Sequence, residues 1–99
     1  MTVYISGPIT GVDNYNENFI MAERALQYSG YDTVMPVTIG AALKSKLKRE
    51  PTWAEYMRED IKALMDCDGI YMLDGWEKSS GARLEEHIAV RIGIKRIEL

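Results

Sequence analysis

The stretch TWAEYMREDIKALMDCDGIYML, residues 52–73, carries a helix signal followed directly by a buried-strand signal. Thr52 and Glu55 have the spacing of a capping box, in which each side chain binds the backbone amide of the other residue. An apolar stripe at helical spacing follows, made of Trp53, Met57, Ile61 and Leu64. We therefore predict a helix over Thr52–Asp66. GIYML, residues 69–73, is apolar throughout, which is typical of a central parallel strand.

The N-terminal segments show the same alternation of strand and helix. TVYIS, Thr2–Ser6, is β-branched and aromatic and stops at a Gly-Pro pair, which predicts a buried strand ending in a turn. Asn14 and Glu17 have the form of a second capping box. Apolar residues then recur at helical spacing, namely Phe19, Ala22 and Leu26. These signals predict a helix near Asn14–Ser29.

The remaining segments complete the pattern. Tyr31–Met35 is the predicted second strand, closed by the following proline. Val37–Pro51 is a connector with a short helix around Ile39–Lys48. IKRIEL, residues 94–99, is the predicted last strand. The helix before it ends at a glycine and has one apolar face, made of Leu84, Ile88 and Ile92.

Strands that alternate with helices predict the α/β class, with right-handed crossovers and a parallel sheet covered on both sides. We expect one domain over residues 1–99, with a three-layer, flavodoxin-like (Rossmann-like) architecture. The expected sheet has four parallel strands in the order 2-1-3-4, with helices on both faces. In such a sheet the ligand crevice lies between strands 1 and 3, at their carboxyl ends. The loops predicted to meet there are GPITG, residues 7–11, and DGWEKSSG, residues 74–81.

Composition excludes several classes of protein. The net charge of −3 argues against binding of a nucleic-acid polymer, and the basic run Lys44–Glu50 is typical of a solvated face. One cysteine, Cys67, and one histidine, His87, are too few for a structural zinc site, so we expect neither a metal nor another cofactor. The N-terminus has neither a signal peptide nor a membrane span, so a cytoplasmic protein without a membrane partner is expected.

Two carboxylates fall on predicted inward faces. Asp60 lies three residues after Met57 and four before Leu64, inside the apolar arc of its helix. Glu85 lies at the edge of the apolar face of the last helix, whereas Glu86 points towards the opposite side. An unpaired carboxylate is costly to bury, so both positions require an explanation.

Two explanations remain open from the residues alone. In the structural one, Asp60 pairs with Lys62 or Arg58, and Glu85 lies favourably near a helix N-terminus. In the functional one, both carboxylates face a sugar-sized pocket and act as acid and nucleophile in glycosidic bond cleavage.

Three segments together resemble the nucleoside 2-deoxyribosyltransferase-like superfamily: YISGPITG (4–11), MREDIKALMDCDGIYML (57–73) and GWEKSSGARLEEHIAVRIG (75–93). More closely, they resemble its short, often phage-encoded members of uncharacterised function, the DUF4406 group, and are similar to the 2′-deoxynucleoside 5′-phosphate N-hydrolases. The resemblance implies cleavage of the N-glycosidic bond of a deoxynucleoside or its 5′-monophosphate, with transfer of the sugar to water or to another base.

The resemblance also implies roles for individual residues. Glu85 matches the carboxylate nucleophile, and Asp60 matches an acid that assists departure of the base. Tyr4 matches a tyrosine that positions the nucleophile, and Ser79 matches a serine that contacts the 5′-phosphate. Further substrate contacts are implied for Gly7, Pro8, Ile9, Thr10 and Gly81.

Two features of the predicted crevice are not fixed by the resemblance. Trp76 and Tyr15 are candidates for stacking on a base, although plain packing explains large aromatic residues equally well. Thr10 stands where the hydrolases carry an arginine. Arg83 and Lys78 are candidates for supplying the positive charge instead, and a solvated surface position explains each of them equally well.

Three functions therefore compete: a glycosidase or deoxyribosyltransferase, a non-catalytic nucleotide-binding module that uses the same crevice, and a plain interaction domain. The predicted ligand is a small nucleoside or nucleotide. We expect a homodimer or higher homo-oligomer, because related proteins complete a shallow pocket with a neighbouring subunit. Met57 and Met65 are candidates for that contact, and core packing explains them equally well.

Overall fold

Strand β1, Thr2–Ser6, lies inside a four-stranded sheet in the computed structural model, which describes residues 1–99. The other strands are β2 (Asp32–Val34), β3 (Gly69–Met72) and β4 (Lys95–Arg96). The order is β2-β1-β3-β4 and every neighbouring pair is parallel. The predicted α/β fold with sheet order 2-1-3-4 is therefore confirmed.

Four helices connect and follow these strands: α1 (Tyr15–Tyr28), α2 (Pro36–Leu47), α3 (Trp53–Met65) and α4 (Ser80–Arg91). Helix α2 is longer than the short helix predicted in this segment. Pro36 does not only close the preceding strand but occupies the first turn of α2, where its missing N–H has no intrahelical partner to lose. None of these helices is long and apolar enough to cross a membrane.

The side chains of β1 alternate between two cores, one on each face of the sheet. Val3 and Ile5 pack with α1, whereas Tyr4 packs with residues of α3 and α4. Since successive residues of a strand point to opposite faces, Ser6 lies on the same face as Tyr4. This alternation sends a tyrosine hydroxyl and a serine hydroxyl towards the side of the sheet covered by α4.

Helix starts show one confirmed and one wrong capping prediction. At α3 the capping box is present: the Glu55 amide donates to Thr52 Oγ1 at 3.2 Å, and the Thr52 amide donates to Glu55 Oε1 at 2.9 Å. At α1 the Asn14 side chain makes no capping hydrogen bond, because its backbone (φ −107°, ψ 31°) is not in the extended conformation that an N-cap usually adopts.

The apolar faces predicted for the last two helices are partly wrong. Ile92 is 54% exposed, since the buried face of α4 is formed by Ala82, Glu85 and Ala89. Small residues on that face let the helix lie close to the sheet. Trp53 is 57% exposed although Met57 and Leu64 of the same stripe are buried, because it lies in the first turn of α3.

Candidate functional site

A cleft of about 1150 Å³ opens at the carboxyl ends of β1 and β3. Its walls come from the loop after β1, the start of α1, helices α2 and α3, and the first turns of α4. Both Asp60 of α3 and Glu85 of α4 line it. The two carboxylates that the sequence singled out therefore share one cavity at the predicted edge of the sheet.

Glu85 forms the floor of this cleft and is held by two neutral donors. The hydroxyl of Tyr4 donates to Oε2 at 2.7 Å, and the hydroxyl of Ser6 donates to Oε1 at 2.7 Å. All three side chains are buried, with Glu85 only 3% exposed. Both carboxylate oxygens are thereby fixed in position, and the donors lie beneath the cleft.

Ser6 is absent from the sequence-based set of site residues. The signal for it was the period of two in β1, because a polar residue two positions after Tyr4 must lie on the same face of the strand. A serine buried in an apolar strand requires a hydrogen-bond partner. The candidate for that partner was Glu85, the carboxylate that Tyr4 was expected to position.

Asp60 has no partner to explain its burial. It is 6% exposed, its Oδ1 atom has no hydrogen bond, and it takes part in no salt bridge. Lys62 instead pairs with Glu59 at 3.6 Å, and Arg58 is exposed without an ion pair. The structural explanation in which Asp60 pairs with one of these cations is wrong.

The electrostatics of the two carboxyl groups differ because only one of them has donors. Burial and the charge of Glu85 raise the pKa of Asp60 to about 8, so this group is mainly protonated at pH 7. Burial also raises the pKa of Glu85, while its bonds from Tyr4 and Ser6 oppose that rise. Burial and the nearby Glu85 raise the pKa of Tyr4, so its hydroxyl stays a donor. The arrangement is one neutral acid beside one donor-stabilised carboxylate.

The start of α4 supplies polar groups at one end of the cleft. Ser79 is the N-cap, and its Oγ accepts a hydrogen bond from the Ala82 amide at 3.2 Å. Ser79, Gly81 and Lys78 line the cleft, whereas Arg83 does not. A Cβ at Gly81 would lie 3.2 Å from Met57 Sδ, so this glycine also serves the packing of α4 on α3.

The loop after β1 also reaches the cleft. All four residues predicted there line it, namely Gly7, Pro8, Ile9 and Thr10. Gly7 has in addition a packing role, because a Cβ at this position would lie 2.7 Å from Leu73 Cβ. The absence of a side chain at Gly7 therefore lets the ends of β1 and β3 approach one another.

Trp76 lies outside the cleft. It packs against the core on the α4 side of the sheet, and the Arg96 guanidinium lies 5.5 Å from its ring centre. Tyr15 does line the cleft, as do two aromatic residues that were not predicted to lie there, Trp53 and Tyr56. The sequence indicates this position by spacing. Trp53 lies seven residues and Tyr56 four residues before Asp60, so all three side chains lie near one side of α3.

The remaining chemically active side chains lie elsewhere. Cys67 is buried in the core, and burial with the nearby aspartates raises the pKa of its thiol to about 11. His87 is exposed on α4. No group of three or more His, Cys, Asp and Glu side chains is arranged to hold a metal ion.

Comparison with known proteins identifies the family of this chain. No curated protein matches the chain. A family model does match, over residues 1–97, and its description is "Domain of unknown function (DUF4406)". Because this match covers nearly all of the sequence, the chain belongs to the DUF4406 family.

Proposed function

We propose that the protein cleaves the N-glycosidic bond of a deoxynucleoside or its 5′-monophosphate, with Glu85 as the nucleophile. One observation carries the proposal: a buried carboxylate, held by two neutral donors, shares a cleft with a second buried carboxyl group that has an unpartnered oxygen. The resemblance to the nucleoside 2-deoxyribosyltransferase-like superfamily supports the same reaction.

The charge of Glu85 suits this reaction because no cation balances it. None of the ion pairs of the protein includes Glu85 or Asp60. Burial of an unbalanced anion is costly, and the cost falls when a positive charge develops next to it. Cleavage of a glycosidic bond develops such a charge at the anomeric carbon. Glu85 therefore stabilises the transition state more than the ground state.

The raised pKa of Asp60 supports the role of acid for this residue in the first step. Protonated Asp60 gives its proton to the departing base, while a Glu85 oxygen bonds to the anomeric carbon as the carbon–nitrogen bond breaks. The products of this step are the neutral base, ionised Asp60 and a glycosyl ester of Glu85. Tyr4 and Ser6 are positioning residues that hold Glu85 for in-line attack.

The second step restores the enzyme. Water or a second base attacks the anomeric carbon, the bond to Glu85 breaks, and the proton of the attacking group passes to Asp60. Transfer to water makes the protein a hydrolase, and transfer to a base makes it a deoxyribosyltransferase. Both outcomes require the same two carboxyl groups.

A 5′-phosphate fits the end of the cleft where α4 begins. Backbone amides of a helix N-terminus favour an anion, and the neighbouring Lys78 adds a positive charge. Ser79 lines the cleft at this point, in agreement with the role that the resemblance implies. Thr10 lines the cleft as well and provides a hydroxyl where an arginine would provide charge.

The proposal includes a homodimer in which a second copy covers the mouth of the cleft. Trp53 lines the cleft and is 57% exposed, so the cleft is open to water at this point. Met65 is 45% exposed and available for contact, whereas Met57 is buried and is not. Sedimentation at micromolar concentration tests this part, and a monomer at all concentrations would contradict it.

The test of the reaction is release of free base. The protein is incubated with the common deoxynucleosides and their 5′-monophosphates, and the products are separated by chromatography. Glu85→Gln keeps the shape of the side chain but loses the nucleophile, so turnover should fall by about a thousandfold or more. Glu86→Gln, the half-buried neighbour on the same helix, is the matched control and should keep its rate. Nucleotide binding without base release would favour a non-catalytic binding module, and a fully active Glu85→Gln would refute the mechanism.

A further inference from the structure

One side of α3 carries aromatic rings along the cleft towards Asp60. Trp53, Tyr56 and Asp60 all line the cleft. Tyr56 precedes Asp60 by one helical turn, which is about 6 Å along the helix axis. If Asp60 protonates the departing heterocyclic base, that base lies next to a ring at this distance from Asp60.

Helix α2 makes room for the Tyr56 ring. A Cβ at Gly40 would lie 3.0 Å from Tyr56 Cε1 and 3.3 Å from Cδ1, so the ring packs directly on the glycine. Gly40 lies in the interior of α2, where glycine destabilises a helix relative to alanine. The close approach of the ring gives this glycine a physical reason.

The hydroxyl end of the same ring is also fixed. Tyr56 donates to Glu50 Oε1 at 2.9 Å, and Glu50 Oε2 pairs with Lys44 Nζ at 3.1 Å. The pairing with Lys44 and the bond from Tyr56 lower the pKa of Glu50, so the acceptor stays ionised at neutral pH. Lys44 and Glu50 line the cleft together with Tyr56. The ring is therefore held at both ends in the wall of the cleft.

We propose that Tyr56 is the platform on which the aromatic base of the substrate stacks. The inference rests on the proposed function, since it assumes a ligand with a heterocyclic base. The rigid support from Gly40 and Glu50 places the ring before a ligand arrives, which lowers the entropic cost of stacking. Trp76, the stacking candidate from the sequence, lies outside the cleft and cannot take this role.

Direct binding tests the platform without requiring turnover. Tryptophan fluorescence of the full-length protein is followed during titration with dAMP, dGMP, dCMP and dTMP, and with 2-deoxyribose 5-phosphate, which has no base. Trp53, in the cleft wall, reports occupancy. Tyr56→Leu should weaken nucleotide binding about tenfold, the order of one base–aromatic stacking contact. Binding of the sugar phosphate should change less than twofold, because it makes no contact with the ring.

Two further variants separate the ring from its supports. Tyr56→Phe keeps the ring and should bind nucleotides within about threefold of the unaltered protein. Gly40→Ala adds a methyl group against the ring. It should weaken the binding of nucleotides and leave the binding of the sugar phosphate unchanged. Because alanine favours helix formation more than glycine does, Gly40→Ala can still be measured if Tyr56→Leu does not fold. Tyr28→Leu, at a tyrosine of α1 that is 95% exposed and does not line the cleft, is the matched control.

The outcomes distinguish the platform from the reaction. Nucleotide affinity unchanged in Tyr56→Leu, or lost equally for nucleotides and sugar phosphate, overturns the platform even if the protein releases base. A selective loss of nucleotide affinity without base release from the unaltered protein supports the platform and refutes cleavage. Failure of all four nucleotides to bind overturns the platform.

Discussion

Replacement of Asp60 by Asn should stabilise the protein at neutral pH while removing the proposed acid. The pKa of Asp60 is about 8 in the folded protein against an ordinary value of 3.8. The folded state therefore binds a proton that the unfolded chain has released, and folding has to recover it. At about 1.4 kcal/mol per pH unit, the interval from pH 3.8 to pH 7 means that the raised pKa lowers the free energy of unfolding by at most about 4 kcal/mol.

The sign of the pH dependence follows from the raised pKa. Below pH 4 both states hold the proton, so Asp60 does not make stability depend on pH. Between about pH 4 and 8 the unfolded state binds fewer protons than the folded state, so the free energy of unfolding falls as pH rises. Asn cannot ionise, so the variant should lose less stability over this window, although the raised pKa of Glu85 leaves some dependence.

Urea unfolding at pH 4, 6, 7 and 8 measures this difference. The gain of Asp60→Asn over the unaltered protein should be near zero at pH 4 and exceed about 1 kcal/mol at pH 7, within the upper figure above. Asp13→Asn is the matched control, because Asp13 is exposed, makes no ion pair and does not line the cleft, so the change should matter by less than about 0.5 kcal/mol. An Asp60→Asn protein that is no more stable at pH 7 than at pH 4, relative to the unaltered protein, would refute a protonated, buried Asp60.

Three further substitutions test separate contacts. Ser6→Ala removes the 2.7 Å bond to Glu85 and should raise its pKa, so the acidic limb of the pH–rate profile moves up by about one pH unit; an unmoved limb contradicts the positioning role. Thr52→Ala breaks the capping box and should lower the free energy of unfolding by about 1 kcal/mol in urea; no loss would show the box to be dispensable. Gly7→Ala places a methyl group 2.7 Å from Leu73 and should cost about 1–3 kcal/mol, measured in the same way; unchanged stability would show that the strand ends can separate.

The sheet order was predictable because each strand and helix carries its own period. The apolar run at residues 69–73 and the stripe before it identified β3 and α3. The alternation of elements predicted a parallel α/β sheet, and 2-1-3-4 is the usual flavodoxin-like order of its first strands. Glycine-rich loops after β1 and β3 then located the cleft. The strands, the helices and the glycine-rich loops are local in sequence, so local patterns predict them.

Side-chain directions at helix ends were less predictable because they depend on the neighbouring elements. Trp53 fits the apolar stripe of α3 yet points into the rim of the cleft, and Ile92 fits the face of α4 yet is exposed. Trp76 lies in a glycine-rich loop that reaches the cleft, but its ring turns back onto the core beside Arg96. Periodicity gives the direction of a side chain around the helix axis. It does not show how far along the helix the neighbouring element covers that face.

The partner of Ser6 was the most informative omission. Strand alternation places Ser6 beside Tyr4, but only the packing of α4 on the sheet shows that both hydroxyls reach one carboxylate. The pairing of Tyr56 with Gly40 was similarly hidden, because it joins two helices whose relative position the sequence does not encode locally.

The hydrogen bonds at Glu85 have a consequence for the timing of assembly. They join residues separated by 81 and 79 positions in sequence, so they are among the most non-local contacts that this chain can make. A ribosome-bound chain that ends after β3 contains Tyr4 and Ser6 but no Glu85, and both hydroxyls then lack their acceptor. Glu85 meets these two donors only when α4 packs on the sheet, so a chain without α4 lacks the proposed site.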